Sequence, residues 1–572
     1  MRAQCYLLNG IRQHYSITLF HNKLKLMRLL QLLFILIIPF LLTAQSPTKD
    51  WFHKEIQVPE ALSNLGNRSS TPVIVAVIDS GVDIKHEDLA KNVWVNTDEI
   101  PGNGIDDDNN GYVDDVNGWN FLGNADGTNI DGETLEVTRL YASLRGKYED
   151  ANPALLTTKQ KEEYNKFLKY KEEVETKRKE AQNNLGNIEM QRNMVGGIFD
   201  SMIDKFGNIE IDKDFLDTTD LQVPAQLKDA LVEIAEGFEA ENGKTPDFED
   251  IKGIVDEEMS GGLDYYKTQA NYHYNPDFKS REIIGDNYLD QEERYYGNND
   301  VEGPDAFHGT HVAGIIGAVR DNDIGMNGVA DNVLIMSIRT VPDGDEHDKD
   351  VANAIRYAVD NGASIINMSF GKGYSWDKNV VDDAVRYAVK KDVLLVHAAG
   401  NSHQDNDTTD NFPNDKYKKA KGFLFWKKKH AKNWIEVGAL SYKKGEDLPA
   451  TFSNYGEDNV DVFAPGVFIY ATTPDNNYQA IQGTSMASPV VAGVAAVLRS
   501  YFPTLKADQV KSIIMESVTP HNQLVKVPGT QELVNFSELS VSGGVVNLKN
   551  AVNKAAMTKG KKKIKKSSQT RA

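Results

Sequence analysis

The sequence predicts an α/β protein with a mostly parallel sheet, interrupted by one charged helical insertion. Three observations carry this. Val73-Ile74-Val75-Ala76-Val77-Ile78 is apolar throughout, as an interior strand covered on both faces must be, and Val333 to Ile338, Ser364 to Ser369 and Val393 to His397 read as further strands. Helical segments, Val351 to Val359 and Val380 to Val389, alternate with these strands, which implies right-handed crossovers. Residues 134–280 are instead polar and rich in Lys and Glu.

The 572 residues are 40% apolar, enough for a large core. Residues 1–44 hold Arg2, Arg12, Lys23, Lys25 and Arg28, no acid, and the apolar run Leu29 to Ile38, ending in Leu42-Thr43-Ala44. This pattern is expected of a signal peptide, with Met27 as an alternative start; a retained membrane anchor is the competing reading, against which Gln31 and Pro39 interrupt the run. The expected location is therefore secreted or periplasmic, with no stable membrane span after cleavage. Cys5 is the single cysteine and lies inside the removed segment, so metal ions rather than disulfides are the expected extracellular staples. A net charge of −20 argues against nucleic acid as a partner. Residues 45–72 form a short segment before the first strand, too small for a folded pro-domain.

The first strand ends at Asp79-Ser80-Gly81. A carboxylate there faces the crevice in which α/β folds bind ligands, although Asp79 alone reads equally well as a turn former. In Asp106-Asp107-Asp108-Asn109-Asn110-Gly111-Tyr112-Val113-Asp114, oxygens at alternate positions precede a glycine that permits a sharp turn. This matches the first part of a calcium loop, with Asp106, Asp108, Asn110 and Asp114 as candidate ligands, although Asn117 stands where an EF-hand has its closing Glu. A solvated acidic turn is the alternative.

The catalytic part is expected to occupy residues 73–133 and 281–556, split by an inserted helical subdomain at 134–280. Thr157 to Gln160 resembles a capping box, and Tyr164, Phe167, Leu168 and Val174, then Leu227, Leu231, Ile234 and Phe238, recur at helical spacing. The insertion is expected to limit substrate access or bind a partner rather than to carry chemistry.

His308-Gly309-Thr310-His311-Val312-Ala313-Gly314 opens a helix of small residues. As a bare His-x-x-His it suggests a zinc pair, but helical zinc pairs favour four-residue spacing and a third ligand. Strand Ser364 to Ser369 ends in Phe370-Gly371, an edge that can pair with an extended peptide. Asn401, in Ala398-Ala399-Gly400-Asn401, follows a strand and offers an amide to an oxyanion, or simply forms a turn. Lys416 to Lys432 is a basic loop with Phe423, Phe425 and Trp426, read as solvated. In Gly483-Thr484-Ser485-Met486-Ala487-Ser488-Pro489, Ser485 precedes an apolar helix whose positive end favours charge developing at its hydroxyl; an ordinary N-cap is the alternative. Residues 557–572, with Lys561 to Lys566, read as a disordered basic tail.

Together, Asp79 in Asp-Ser-Gly, His308 in His-Gly-Thr-His-Val-Ala-Gly, Asn401 in Ala-Ala-Gly-Asn and Ser485 in Gly-Thr-Ser-Met-Ala-Ser-Pro resemble the signatures of the subtilisin-like serine proteases, the peptidase S8 family, in the family's Asp, His, Ser order. The resemblance covers roughly residues 73–123 and 296–556. It implies a three-layer subtilisin-like fold and a secreted endopeptidase of broad specificity acting on proteins or peptides. It also implies a catalytic triad of Asp79, His308 and Ser485, Asn401 in the oxyanion hole, and substrate pairing along Ser369-Phe370-Gly371. A catalytically silent relative acting as a binding protein, or a calcium-dependent scaffold, is the alternative function; oligomeric state is not indicated.

Overall fold

The computed structural model describes residues 47–219, 221, 223, 225–421 and 428–561. The expected signal segment with Cys5 and Met27, the loop residues Phe423, Phe425, Trp426 and Lys427, and the tail from Lys562 lie outside the described residues. The chain divides into two compact units, Glu175–Asn271 and Pro47–Val174 with Tyr272–Ala572.

The larger unit is built on a nine-stranded sheet. In chain order its strands are β1 Val73–Asp79, β2 Gly118–Asn120, β3 Val333–Arg339, β4 Ile365–Met368, β5 Leu394–Ala398, β6 Trp434–Leu440, β7 Val462–Pro465, β8 Thr519–Pro520 and β9 Gly544–Val545. Their spatial order is β8-β9-β7-β6-β5-β4-β1-β3-β2, and every neighbouring pair is parallel except β8 with β9. The continuous apolar runs follow from burial on both faces. Val73, Val75 and Val77 of β1 join a core with helices Phe307–Gly317 and Thr484–Tyr501, while Ala76 and Ile78 join a second core with helices Asp348–Asp360 and Lys378–Lys390. Alternate side chains of one strand thus serve two helical layers. The first core also takes in Phe52, Val58 and Ala61 from the N-terminal helices Trp51–Glu55 and Val58–Leu65, and Ile56 from the turn between them.

Helix Glu136–Tyr148 and the first part of helix Thr158–Phe206 belong to this same unit, around a small core of Val137, Tyr141, Tyr148, Phe167 and Val174. Leu168, on the same helical spacing, stays 43% exposed. The capping box at Thr157 is formed: Thr157 N–H donates to Gln160 Oε1 (3.0 Å) and Gln160 N–H to Thr157 Oγ1 (3.4 Å). The smaller unit closes its own core with Phe199, Met202, Ile211, Leu231, Phe248 and Ile251. Lys416–Lys421 and Lys428–His430 pair as a two-stranded antiparallel element. Among the described residues, no helix is long and apolar enough to cross a membrane.

Candidate active site

β1 delivers Asp79 to the carboxyl edge of the sheet, opposite Arg339 of β3. The Asp79 carboxylate is almost fully buried, and its Oδ1 accepts from Ser80 N–H (2.8 Å) and lies 2.6 Å from His308 Nδ1. Arg339 Nε donates to Ser80 O (2.9 Å), which fixes the turn that orients the carboxylate. His308 sits in the first turn of helix Phe307–Gly317, which can approach only because position 309 is glycine: a Cβ there would lie 2.0 Å from Gly81 O. The His308 side chain is 36% exposed. Burial by itself depresses the imidazolium, but the Asp79 carboxylate and its hydrogen bond, with Asp305 beyond, outweigh it and hold the His308 pKa above its ordinary value. His311 is different in kind. It is fully buried, its Nε2 donates to the carbonyls of Ile469 and Gln479 (3.0 Å each), and burial pushes its pKa down to about 4. With Nε2 committed to two carbonyls, the His308–His311 spacing does not form a zinc pair.

Ser485 lies in the first turn of helix Thr484–Tyr501, and the neighbouring Pro489 shapes its surroundings. A proline four residues on cannot donate to the Ser485 carbonyl, so that acceptor needs another partner. Ser369 Oγ supplies it at 2.9 Å, and Ser485 Oγ in turn donates to Ser369 O at 3.0 Å. Ser369 Oγ also contacts Ser488 Oγ (2.8 Å) and accepts from Asn367 Nδ2 (2.9 Å), which uses its one donor and two acceptor sites in full. The residue that follows β4 therefore ties the helix carrying Ser485 to the sheet.

Asn401 Oδ1 accepts from Thr484 N–H (2.9 Å) and Thr484 Oγ1 (2.8 Å), which leaves the amide nitrogen facing outward. A Cβ built at Gly483 would lie 3.5 Å from both Asn401 Nδ2 and Ser485 N, so both nitrogens border the same side of Gly483. The turn carrying Asn401 is held by Asn454. Its Oδ1 accepts from Ser402 and Gln404 N–H (2.9 and 3.0 Å), and its Nδ2 donates to Ala399 O (2.9 Å).

Residues 70–535 match the model of the Subtilase family, Peptidase_S8. This chain belongs to the subtilase family of serine-type endopeptidases. Among the subtilases it resembles are a thermophilic serine proteinase of Bacillus sp. strain AK1 (38% identical over 39% of this chain and 49% of that one), subtilisin DY of Bacillus licheniformis (38% over 37% and 70%) and thermitase of Thermoactinomyces vulgaris (34% over 41% and 71%). The chain thus spans about half the length of the first of these relatives. The three-layer sheet and helix arrangement is the subtilase fold.

In this subtilase the acidic loop brings Asp106 and Asp108 together with Glu99, one oxygen of each lying within 4.8 Å of the others. Asn110 turns instead to Asp108, Asp115 and Tyr112 N–H, and the Asp114 carboxylate accepts from the N–H groups of Asn103 and Gly104 (3.1 and 2.8 Å). Among the described residues no Lys, Arg or His forms an ion pair with Glu99, Asp106 or Asp108. Glu99 accepts from the N–H groups of Asp107 and Asp114, Asp106 from those of Asn110 and Gly111, and Asp108 from Asn110. No cationic side chain among the described residues balances their charge, and such a set of hard oxygen donors suits a calcium ion rather than zinc. Glu99 is not legible as a ligand in the sequence because it precedes the alternating pattern; its one signal is a carboxylate shortly before an acidic turn.

Proposed function

We propose that this subtilase is a secreted endopeptidase in which Asp79, His308 and Ser485 act as a catalytic triad. The observation that carries the reading is the 2.6 Å contact between His308 Nδ1 and Asp79 Oδ1 at the carboxyl edge of the sheet. That contact fixes the tautomer with Nδ1 protonated, so Nε2 is free to act as a base. Ser485 Oγ rotates from Ser369 O toward His308 Nε2, gives up its proton and attacks the peptide carbonyl. The imidazolium, stabilised by Asp79, then protonates the leaving amine. Asn401 Nδ2 and Ser485 N–H receive the oxyanion. The substrate backbone pairs along Ser369-Phe370-Gly371, and because backbone pairing is largely blind to side chains, specificity is broad.

Calcium fits the loop, with Glu99, Asp106 and Asp108 as direct ligands and Asn110 and Asp114 bracing the turn; its contribution is structural. Casein hydrolysis by the mature chain, with the Ser485→Ala variant as control and each with and without a chelator, tests this reading. Activity in the parent alone, reduced on chelation, supports it. Equal hydrolysis by parent and variant would sink the triad assignment.

A further inference from the structure

Between Ser369, whose carbonyl accepts from Ser485, and Lys372, whose N–H and C=O both pair with Phe412 (2.9 Å each), only Phe370 and Gly371 offer an open edge. They form no backbone hydrogen bond to the described residues outside the strands, and Gly371 is exposed. So short an edge depends on whatever holds its far flank. Lys372 is 4% exposed, and its ammonium lies 2.7 Å from Glu136 Oε2 and 2.9 Å from Asp348 Oδ1, and donates to Glu346 O. Glu136 is itself held by Arg139 Nη2 (2.9 Å), which also donates to Glu346 O (3.1 Å). Two residues further on, Tyr374 OH donates to Glu173 Oε2 (2.9 Å), and the Tyr170 ring meets Tyr374 edge-on at 5.4 Å. Helices Glu136–Tyr148 and Thr158–Phe206 therefore each send one carboxylate to the stretch that leaves the open edge. A buried ion pair adds little net stability over well-packed apolar side chains, but it fixes geometry, because removing one partner strands the other.

We propose that these two helices hold the peptide-pairing edge from behind, with Lys372 and Tyr374 as positioning residues for extended substrates. This rests on the proteolytic reading of the same site. The consequence is selective: a substrate that touches only the nucleophile is indifferent to the edge, whereas one lying along Phe370-Gly371 depends on it.

The test compares a single-residue ester with a pentapeptide amide in the full chain, using Tyr374→Phe and the pair Lys372→Met with Glu136→Gln. KM for the pentapeptide is expected to rise roughly 5- to 10-fold in each variant, the equivalent of losing about one hydrogen bond's worth of fixation, with kcat and ester hydrolysis nearly unchanged. Glu173→Gln, which keeps an acceptor for Tyr374, is expected to retain the parent KM. Parallel losses on ester and peptide, or an unchanged pentapeptide KM in Tyr374→Phe, would overturn the proposal. Tyr374→Phe removes a single oxygen and so remains informative if the double variant fails to fold. Calorimetric binding of the pentapeptide to Ser485→Ala, with and without Tyr374→Phe, reads the edge without catalysis. A parent that neither hydrolyses nor is labelled by an active-serine phosphonate would count against the protease reading, whereas an equal Kd in those two chains counts against the positioning role.

Discussion

Replacing Asp79 by Asn separates the two tasks that the carboxylate performs. Asp79 Oδ1 receives N–H groups from both Ser80 (2.8 Å) and His308 (2.6 Å). An amide nitrogen at that position would face two donors, so the Asn oxygen takes the place of Oδ1 and the His308 tautomer is kept. What is lost is the charge. Opposite unit charges about 4 Å apart interact by about 4 kcal/mol at an effective dielectric of about 20. Because the His308 side chain is 36% exposed, screening reduces this to roughly 3 kcal/mol. At about 1.4 kcal/mol per decade the expected loss in kcat is roughly 10²-fold, well short of the ~10⁴-fold loss when the wrong tautomer is imposed. The assay is hydrolysis of a chromogenic peptide by parent and Asp79→Asn from pH 5 to 10. In the parent the rising limb lies above the ordinary histidine range, because the base form of His308 is needed and its pKa is raised; in the variant the limb moves to lower pH. The sign for stability is the reverse. A raised histidine pKa stabilises the fold below the unfolded value of about 6.5 and ceases to do so as pH rises through the folded value. The variant should therefore melt further below the parent at pH 5.5 than at pH 9. A kcat within fivefold of the parent, with an unmoved pH limb, would refute the reasoning.

Other perturbations follow from the same geometry. Asn401→Ala removes one of the two proposed oxyanion donors and is expected to lower kcat by about 10²–10³ with little change in KM, as for such a donor in a family member; steady-state kinetics on the same peptide checks it. Ser369→Ala strands the Ser485 carbonyl, the Ser488 hydroxyl and the Asn367 amide, and should cost about 1–3 kcal/mol in urea unfolding. Calcium at about a hundred times its Kd should stabilise the chain by about 2.7 kcal/mol. Glu99→Gln is expected to abolish most of that calcium-dependent rise in melting temperature.

Much of the sheet is legible in the sequence because β1, β3, β4 and β5 are buried on both faces and read as largely apolar runs, interrupted only by single polar residues such as Ser337, Asn367 and His397. β6 does not read that way: Glu436 lies in its middle, buried against His397 Nδ1 (3.0 Å) and Trp434 Nε1 (2.7 Å), and breaks the pattern. At the site, residue types and their order suggest which side chains meet, but not which atoms face which. Nothing in a Gly-Thr-Ser motif shows that Ser369 occupies the carbonyl freed by Pro489, or that Asn454 reaches back 55 positions to Ala399 to hold the turn of Asn401. Glu136, Arg139 and Lys372 are buried as ion pairs that no local pattern signals, because Lys372 and Glu136 are partners 236 positions apart. His311 shows the converse, where a spacing that suggests a metal is consumed by two backbone carbonyls.

The central claim is that Ser485 is an activated nucleophile served by His308 and Asp79. Labelling the folded chain with an active-serine phosphonate and mapping the adduct by mass spectrometry tests it most directly. A single adduct at Ser485 is expected, absent in Ser485→Ala and formed much more slowly in His308→Ala. An adduct on another serine, or labelling of Ser485 at the same rate without His308, would contradict it.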